Sequence, residues 1–420
     1  MAGHIFTGFG FGPIQSGLFV NEAYDSKRFD RIVIAEIDQR LVDAVRANRG
    51  SYAVNVAAAD RVECRHIEGV EIYNPTVDAD RVKLLEALAC STEICTSLPS
   101  VNFFDTGANS VASLIAQGLS AKSAQATIIY TAENNNHAAE ILQEKVKAKG
   151  IPFGRPVQFL NTVIGKMSQV IADAKEIADK KLAPMAPGIE RAFLVESFNK
   201  ILVTKCQLHN FTPGISVFIE KEDLLPFEEA KLYGHNAIHA LLAYLGAFRG
   251  CRKMAELAKH SDLMAIARSA FIDESGAALC RKYAALGDPL FTAAGYKAYA
   301  EDLLTRMTNP YLDDAVERAA RDPQRKLDLS DRIFGTMILC LEQRIEPKQM
   351  AMGAVAGLAY LLANAQAVSL PGELAVGGID KLTDAQVRNI LLWLWKDKHS
   401  PHTEKLIQLV QENRPKLLRL

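Results

Sequence analysis

Four polar side chains, three of them able to hold or hand over a proton, fall close together in KLYGHNAIHALLAYLG, residues 231 to 246. Ile238, Leu241, Leu242 and Leu245 recur at helical spacing, and neither proline nor glycine interrupts the run from His235 to Leu245. That pattern predicts a helix. At roughly 100° per residue, Lys231, His235, Asn236 and His239 fall within an arc of about 140°. Tyr233, Ala237, Ala240 and Tyr244 lie opposite, and even the polar arc is shared with Leu232, Leu242 and Ala243. A helix apolar nearly all round is expected to be buried. Buried polar groups must find partners or do chemistry. The plainer alternative is a solvated face that happens to carry these residues.

The rest of the chain sets what could position such a helix. At 420 residues it suits two domains, and 49% hydrophobic with 23% charged side chains supplies sizeable cores. With 48 basic against 49 acidic residues the formal net charge is -1, which gives no basic excess for nucleic acid. Seven scattered cysteines without a CxxC pair argue against a disulfide framework or a structural zinc site, so the expected metal is none. Reduced thiols fit a cytoplasmic protein. The opening MAGHIFTGFGFG lacks a basic stretch followed by an apolar run, so no signal peptide is expected. The apolar segment 351–368 holds Asn364 and Gln366 and is read as a buried helix, not a membrane span.

Taken in order, residues 4–9 read as a buried strand, followed by the glycine-rich turn GFGFGPIQSGLF and a helix to about Ala23. RIVIAEI (31–37) is a second strand, LVDAVRANRG a helix closed by Gly50. Further strands are expected at 70–75, 93–99, 126–133 and 156–164, with helical patterns between them. This alternation predicts a parallel sheet with helices on both faces. Beyond about residue 220 only helical patterns remain. The expected architecture is therefore α/β: a Rossmann-like dinucleotide-binding domain over 1–205, then an all-helical domain over 206–420.

A dinucleotide site needs glycines where the first strand turns into a helix, so that the backbone can approach a pyrophosphate. Gly8 and Gly10 supply two positions of GxGxxG, and the third falls on Pro13, with Gly12 and Gly17 nearby and Phe11 between. About twenty residues on, Glu36 ends the second strand, where a carboxylate accepts bonds from both ribose hydroxyls. It would repel a 2′-phosphate, which favours NAD over NADP; Arg40 is the one residue that complicates this.

With these residues in place, the chain resembles the polyol-specific long-chain dehydrogenases, the mannitol dehydrogenase family, and within it the mannitol-1-phosphate 5-dehydrogenase branch. IAEIDQRLVDAVRANRGSYAV (34–54) resembles the family's second strand and helix. YTAEN (130–134) is similar to its Ala/Cys-Glu/Asp-Asn block. Lys231, Asn236 and His239 match its K-x4-N-x2-H signature, and NPYLDDAVERAARDPQRKLDLSDR (309–332) resembles its C-terminal block. The resemblance implies a reversible, metal-independent oxidation of a polyol or polyol phosphate, with hydride passing to NAD. Lys231 would be the general base, which requires its proton affinity to be lowered by burial or a neighbouring cation. Asn236 and Asn134 would present amide donors to the oxygen that becomes alkoxide-like, and His239 would orient a hydroxyl or Lys231. Arg318 and Lys326 would contact substrate, with Arg321 and Arg325 as added candidates for a phosphate or carboxylate. The expected partner is a small molecule, neither nucleic acid nor membrane, bound by a monomer or small homo-oligomer.

Two departures stand out. Ile164 and Gly165 occupy the place of an Asp-Arg pair that contacts substrate in relatives, with Lys166 one residue on. His235 stands where an apolar residue is expected and is read as a core histidine. The lost pair keeps open an unphosphorylated polyol, an aldonate or a uronate as substrate. A non-catalytic dinucleotide or sugar-phosphate sensor is the third reading; intact Lys231, Asn236 and His239 argue against it.

Overall fold

The computed structural model describes residues 4–374, 377–396 and 398–420. It divides into two compact units, Met1–Leu225 and Pro226–Leu420. The boundary falls at the end of the 205–225 stretch where composition changes.

The first unit carries strands β1 (His4–Phe9), β2 (Phe29–Ala35), β3 (Tyr52–Ala57), β4 (Val62–Ile67), β5 (Val70–Tyr73), β6 (Glu93–Thr96), β7 (Thr127–Thr131), β8 (Val157–Val163), β9 (Ser168–Ile171), β10 (Ala192–Glu196), β11 (Leu202–Thr204) and β12 (Ile219–Lys221). Among the described residues eight of them form one sheet in the order β12-β11-β8-β7-β6-β1-β2-β5. From β5 to β8 its pairings are all parallel. The central strands read as unbroken apolar runs because both faces are covered: Phe6, Ile32, Ile34 and Tyr130 pack on one side, Val33, Ile94, Ile129 and Leu142 on the other. The helices are α1 (Val20–Ser26), α2 (Gln39–Ala47), α3 (Asp78–Cys90), α4 (Val111–Leu119), α5 (Ala138–Lys147) and α6 (Ala174–Asp179). The chain order reverses between β1 and β6, the switch point at which doubly wound sheets open a crevice.

A second sheet, β4-β3-β10-β9, was not legible in the sequence. Its strands are short, and YAVNVA and VECRHI interleave small and polar residues with apolar ones, so neither period stands out. This sheet braces the glycine turn. The Tyr52 hydroxyl donates to the Ser16 carbonyl at 2.8 Å, and the Phe11 ring meets Tyr52 edge-on at 4.9 Å. Residues 206–225 remain with the first unit, where β12 extends the main sheet.

The second unit is helical: α7 (Leu225–Glu229), α8 (Ala237–Arg249), α9 (Ser261–Ser269), α10 (Ala277–Lys282), α11 (Ala293–Met307), α12 (Val316–Ala320), α13 (Pro323–Lys326), α14 (Arg332–Glu342), α15 (Lys348–Ala363), α16 (Asp384–Trp395) and α17 (Thr403–Leu417). Alpha8 is buried along most of its length and packs against α15, α12 and α14. The apolar run from 351 lies in α15, itself mostly buried, and among the described residues no helix is long and apolar enough to cross a membrane.

Candidate active site

In the first unit the chain leaves β1 at Phe9 and turns at Gly10, whose φ of +81° lies in the left-handed region that side chains disfavour. A Cβ there would stand 2.7 Å from the Ser97 carbonyl, whereas one on Gly12 would meet nothing within 4 Å. Gly12 therefore faces open space, as a backbone approached by a ligand must. Gly8 is different: it lies inside β1, and its missing side chain makes room for the buried Gln15 amide. The turn is thus built on Gly10, Phe11 and Gly12, and its third motif position falls on Gln15, not on Pro13. Gln15 opens a π-helical turn, Gln15–Phe19, that leads into α1.

Glu36 follows β2 and closes the turn from the other side. Its Oε2 accepts from the Phe11 amide at 2.8 Å, and Oε1 accepts from Ile37 and Asp38 at 2.7 and 2.9 Å. Together with Gly10–Gly12, Ser97–Pro99, Pro75 and Thr76 it lines a cleft of about 940 Å³. Ile37, 72% exposed, forms an apolar wall beside it. Open space over Gly12, a left-handed Gly10 and a strand-end carboxylate suit the pyrophosphate and ribose of a dinucleotide. Arg40 donates to the Gly188 carbonyl at 3.0 Å.

Asn134 is exposed just past β7. Its neighbour Glu133, which spacing did not single out, is buried and accepts from the Leu98 amide and the Thr96 hydroxyl at 2.8 and 2.9 Å. Burial raises its carboxyl to about 7 against those hydrogen bonds. Glu133 so ties the end of β7 to the end of β6, where the cleft is lined. Lys166 is buried and donates to the carbonyls of Glu196 and Phe198. Ile164 packs against the core.

Lys231, His235, Asn236 and His239 all lie on the second unit. The segment Ala230–Asn236 is a π-helical turn between α7 and α8, so the wheel drawn at 100° per residue does not hold there. Such turns are frequent at functional sites. The Tyr233 carbonyl within this one accepts from the Ser275 hydroxyl at 2.8 Å and the Thr336 hydroxyl at 3.2 Å. Two helices distant in sequence therefore fix the turn that carries Lys231.

The surrounding protein desolvates the Lys231 amine, and the Arg332 cation adds to this; together they outweigh the attraction of Glu228 and bring the amine down to about 8. A sizeable fraction is then neutral near physiological pH, as a general base requires. His235 is buried and held well below its usual range by burial first, then by His239, Arg306, Lys231 and Arg332. It is an uncharged histidine.

His239 Nε2 lies 3.2 Å from Asp314 Oδ2, and Arg318 clasps the same carboxylate through Nε and Nη2, each at 2.6 Å. Burial would raise the Asp314 carboxyl, but the hydrogen bonds from His239 and Arg318 hold it at about 2. The signal for Asp314 in the sequence is its place four residues before Arg318, a spacing that pairs charges on one helical face. Asp314→Ala is expected to leave Arg318 without its anion, cost about 3 kcal/mol of stability and release His239. A thermal melt and the rate on polyol check this; a melt unchanged from the parent would count against it.

Of the other cationic candidates, Lys326 is buried, donates to the Ala319 carbonyl, and is lowered to about 7 by burial, then by Arg332 and Arg325. Arg321 and Arg325 are exposed, and Arg325 pairs with Asp331 at 3.1 Å. Arg332 closes the 309–332 block that carries the family resemblance, and it is not among the residues to which that resemblance gives a role.

Residues 223–408 match the Mannitol dehydrogenase C-terminal domain family. Over 360 residues the chain is 28% identical to a mannitol-1-phosphate 5-dehydrogenase of Brevibacillus brevis, covering 84% of this chain and 85% of that one. In fold it is similar to a D-sorbitol dehydrogenase in substrate-free form, with a TM-score of 0.76 at 14% identity over 99% of this chain and 93% of that one. It is also similar to Pseudomonas fluorescens mannitol 2-dehydrogenase in ternary complex with NAD and D-mannitol, with a TM-score of 0.68 at 14% identity over 99% and 92%. At such identities the structural likeness is one of fold.

Proposed function

We propose that the chain is a member of the mannitol dehydrogenase family and interconverts a polyol phosphate of the mannitol-1-phosphate kind and the corresponding ketose phosphate. At the coarser level it is an NAD-dependent polyol oxidoreductase acting on a CH–OH group. The observation that supports a lysine base is Lys231, an amine lowered to about 8 on a locked π-turn, with Asp314-bound Arg318 and His239 on the same unit, while the phosphate rests on the likeness to the Brevibacillus brevis enzyme.

In this reading Lys231 takes the hydroxyl proton of the polyol. Asn236 donates to the same oxygen as negative charge develops on it. His239, held through Asp314, sets the orientation of the hydroxyl, and Arg318 and Lys326 bind the remaining oxygens of the substrate. NAD, when bound, accepts the hydride. Glu36 and the Gly10–Gly12 turn hold its ribose and pyrophosphate, and Asn134 adds a second amide donor toward the alkoxide.

The Ile164–Gly165 departure supports a second reading, the same chemistry on a free hexitol, a hexonate or a uronate. A panel of hexitol phosphates, free hexitols and hexonates, followed at the NADH absorbance, separates the two. Faster turnover of hexitol phosphates at low concentration is expected. Equal or better use of a neutral hexitol would favour the second reading.

A further inference from the structure

Arg332 opens α14, a helix that packs against the π-turn bearing Lys231. Thr336, one turn further along the same face, is the residue whose hydroxyl reaches the Tyr233 carbonyl. Arg332 therefore stands on the side of α14 that is turned toward Lys231. Its side chain is only 11% exposed, and its Nη1 is buried without a hydrogen bond. The nearest anion is Asp331, with Oδ1 3.4 Å from Nη1, while Oδ2 is engaged by Arg325. The Tyr244 hydroxyl, on which the Arg332 charge also acts, is another buried polar atom without a partner.

A buried guanidinium with an idle N–H is costly unless something completes it. The Arg332 charge also bears on both Lys231 and Lys326, the proposed base and a proposed substrate contact. Nature's usual counterpart for a planar donor fork in such a place is an oxyanion.

We propose that Arg332 is the specificity-determining residue that reads the phosphate of the substrate, completing its guanidinium with phosphate oxygens. The proposal rests on the polyol phosphate reading above. It goes beyond it by moving the anion contact from exposed Arg321 and Arg325 to a buried residue outside that set. An exposed arginine binds phosphate in competition with water; a desolvated one discriminates more sharply between charged and neutral ligands.

The test compares the parent with Arg332→Leu and Arg332→Lys on a hexitol 1-phosphate and on the free hexitol, with NAD saturating. Rates are taken at a pH where they no longer rise, so that any change in the Lys231 amine drops out. Inorganic phosphate serves as a competitive inhibitor in parallel. In Arg332→Leu the KM for the phosphorylated substrate is expected to rise at least about tenfold more than that for the free hexitol, the worth of a charge-assisted hydrogen bond. Inhibition by inorganic phosphate should weaken by a similar factor, and Arg332→Lys should fall between parent and Leu. A loss shared equally by charged and neutral substrates, with phosphate inhibition unchanged, would overturn the proposal while leaving the phosphate reading intact. A parent that does not prefer the phosphorylated substrate overturns both.

Discussion

Lys231→Ala is expected to lower the rate of polyol oxidation by about 10²–10⁴-fold, the usual contribution of a positioned general base. Dinucleotide affinity should survive, because Glu36 and the glycine turn lie on the other unit. The pH dependence sharpens the test. The amine must be neutral to accept the proton, so oxidation should rise with pH through about 8 and then level off. Reduction needs the protonated amine and should fall across the same interval. Arg332→Leu removes a cation that favours the neutral form, and it should move both limbs to higher pH. Steady-state rates in both directions from pH 6 to 10 decide the matter. An alanine variant within a few-fold of the parent would falsify the assignment of Lys231.

Glu36→Ala should have the next largest effect. Each hydrogen bond between a carboxylate and a ribose hydroxyl contributes about 1.5–3 kcal/mol. Losing that carboxylate, and the clamp on the Phe11 amide with it, should raise the Kd for NADH about 10–100-fold. Rejection of NADP should relax at the same time, because the negative charge facing a 2′-phosphate is gone. Titration of cofactor fluorescence with NADH and NADPH reads both effects at once. Unchanged affinity for either nucleotide would place the adenosine ribose away from Glu36.

The parallel sheet, its strand order of appearance and the wholly helical second half were legible because burial on both faces and 3.6-residue spacing are local patterns. Glu36 is singled out by its place at the end of an apolar strand after the glycine turn, and Lys231 by the helical run it opens, with its role given by the family resemblance. Motif spacing alone sets the glycine turn one glycine too early. Gly8 looks like a turn glycine in sequence, but in the fold it lies within β1 and accommodates Gln15.

What the sequence determined by itself was the kind of fold and the inventory of reactive groups, since hydrophobic spacing reports which faces avoid water. Tertiary structure alone decided the state of those groups. Asp314 lies 75 residues from the His239 it holds, and the Tyr233 carbonyl is reached from Ser275 and Thr336. The loss of water around Lys231 and the approach of the Arg332 charge likewise come from elements remote in the chain. Proton affinity depends on the local dielectric and on nearby charge, and neither quantity exists until distant segments have packed.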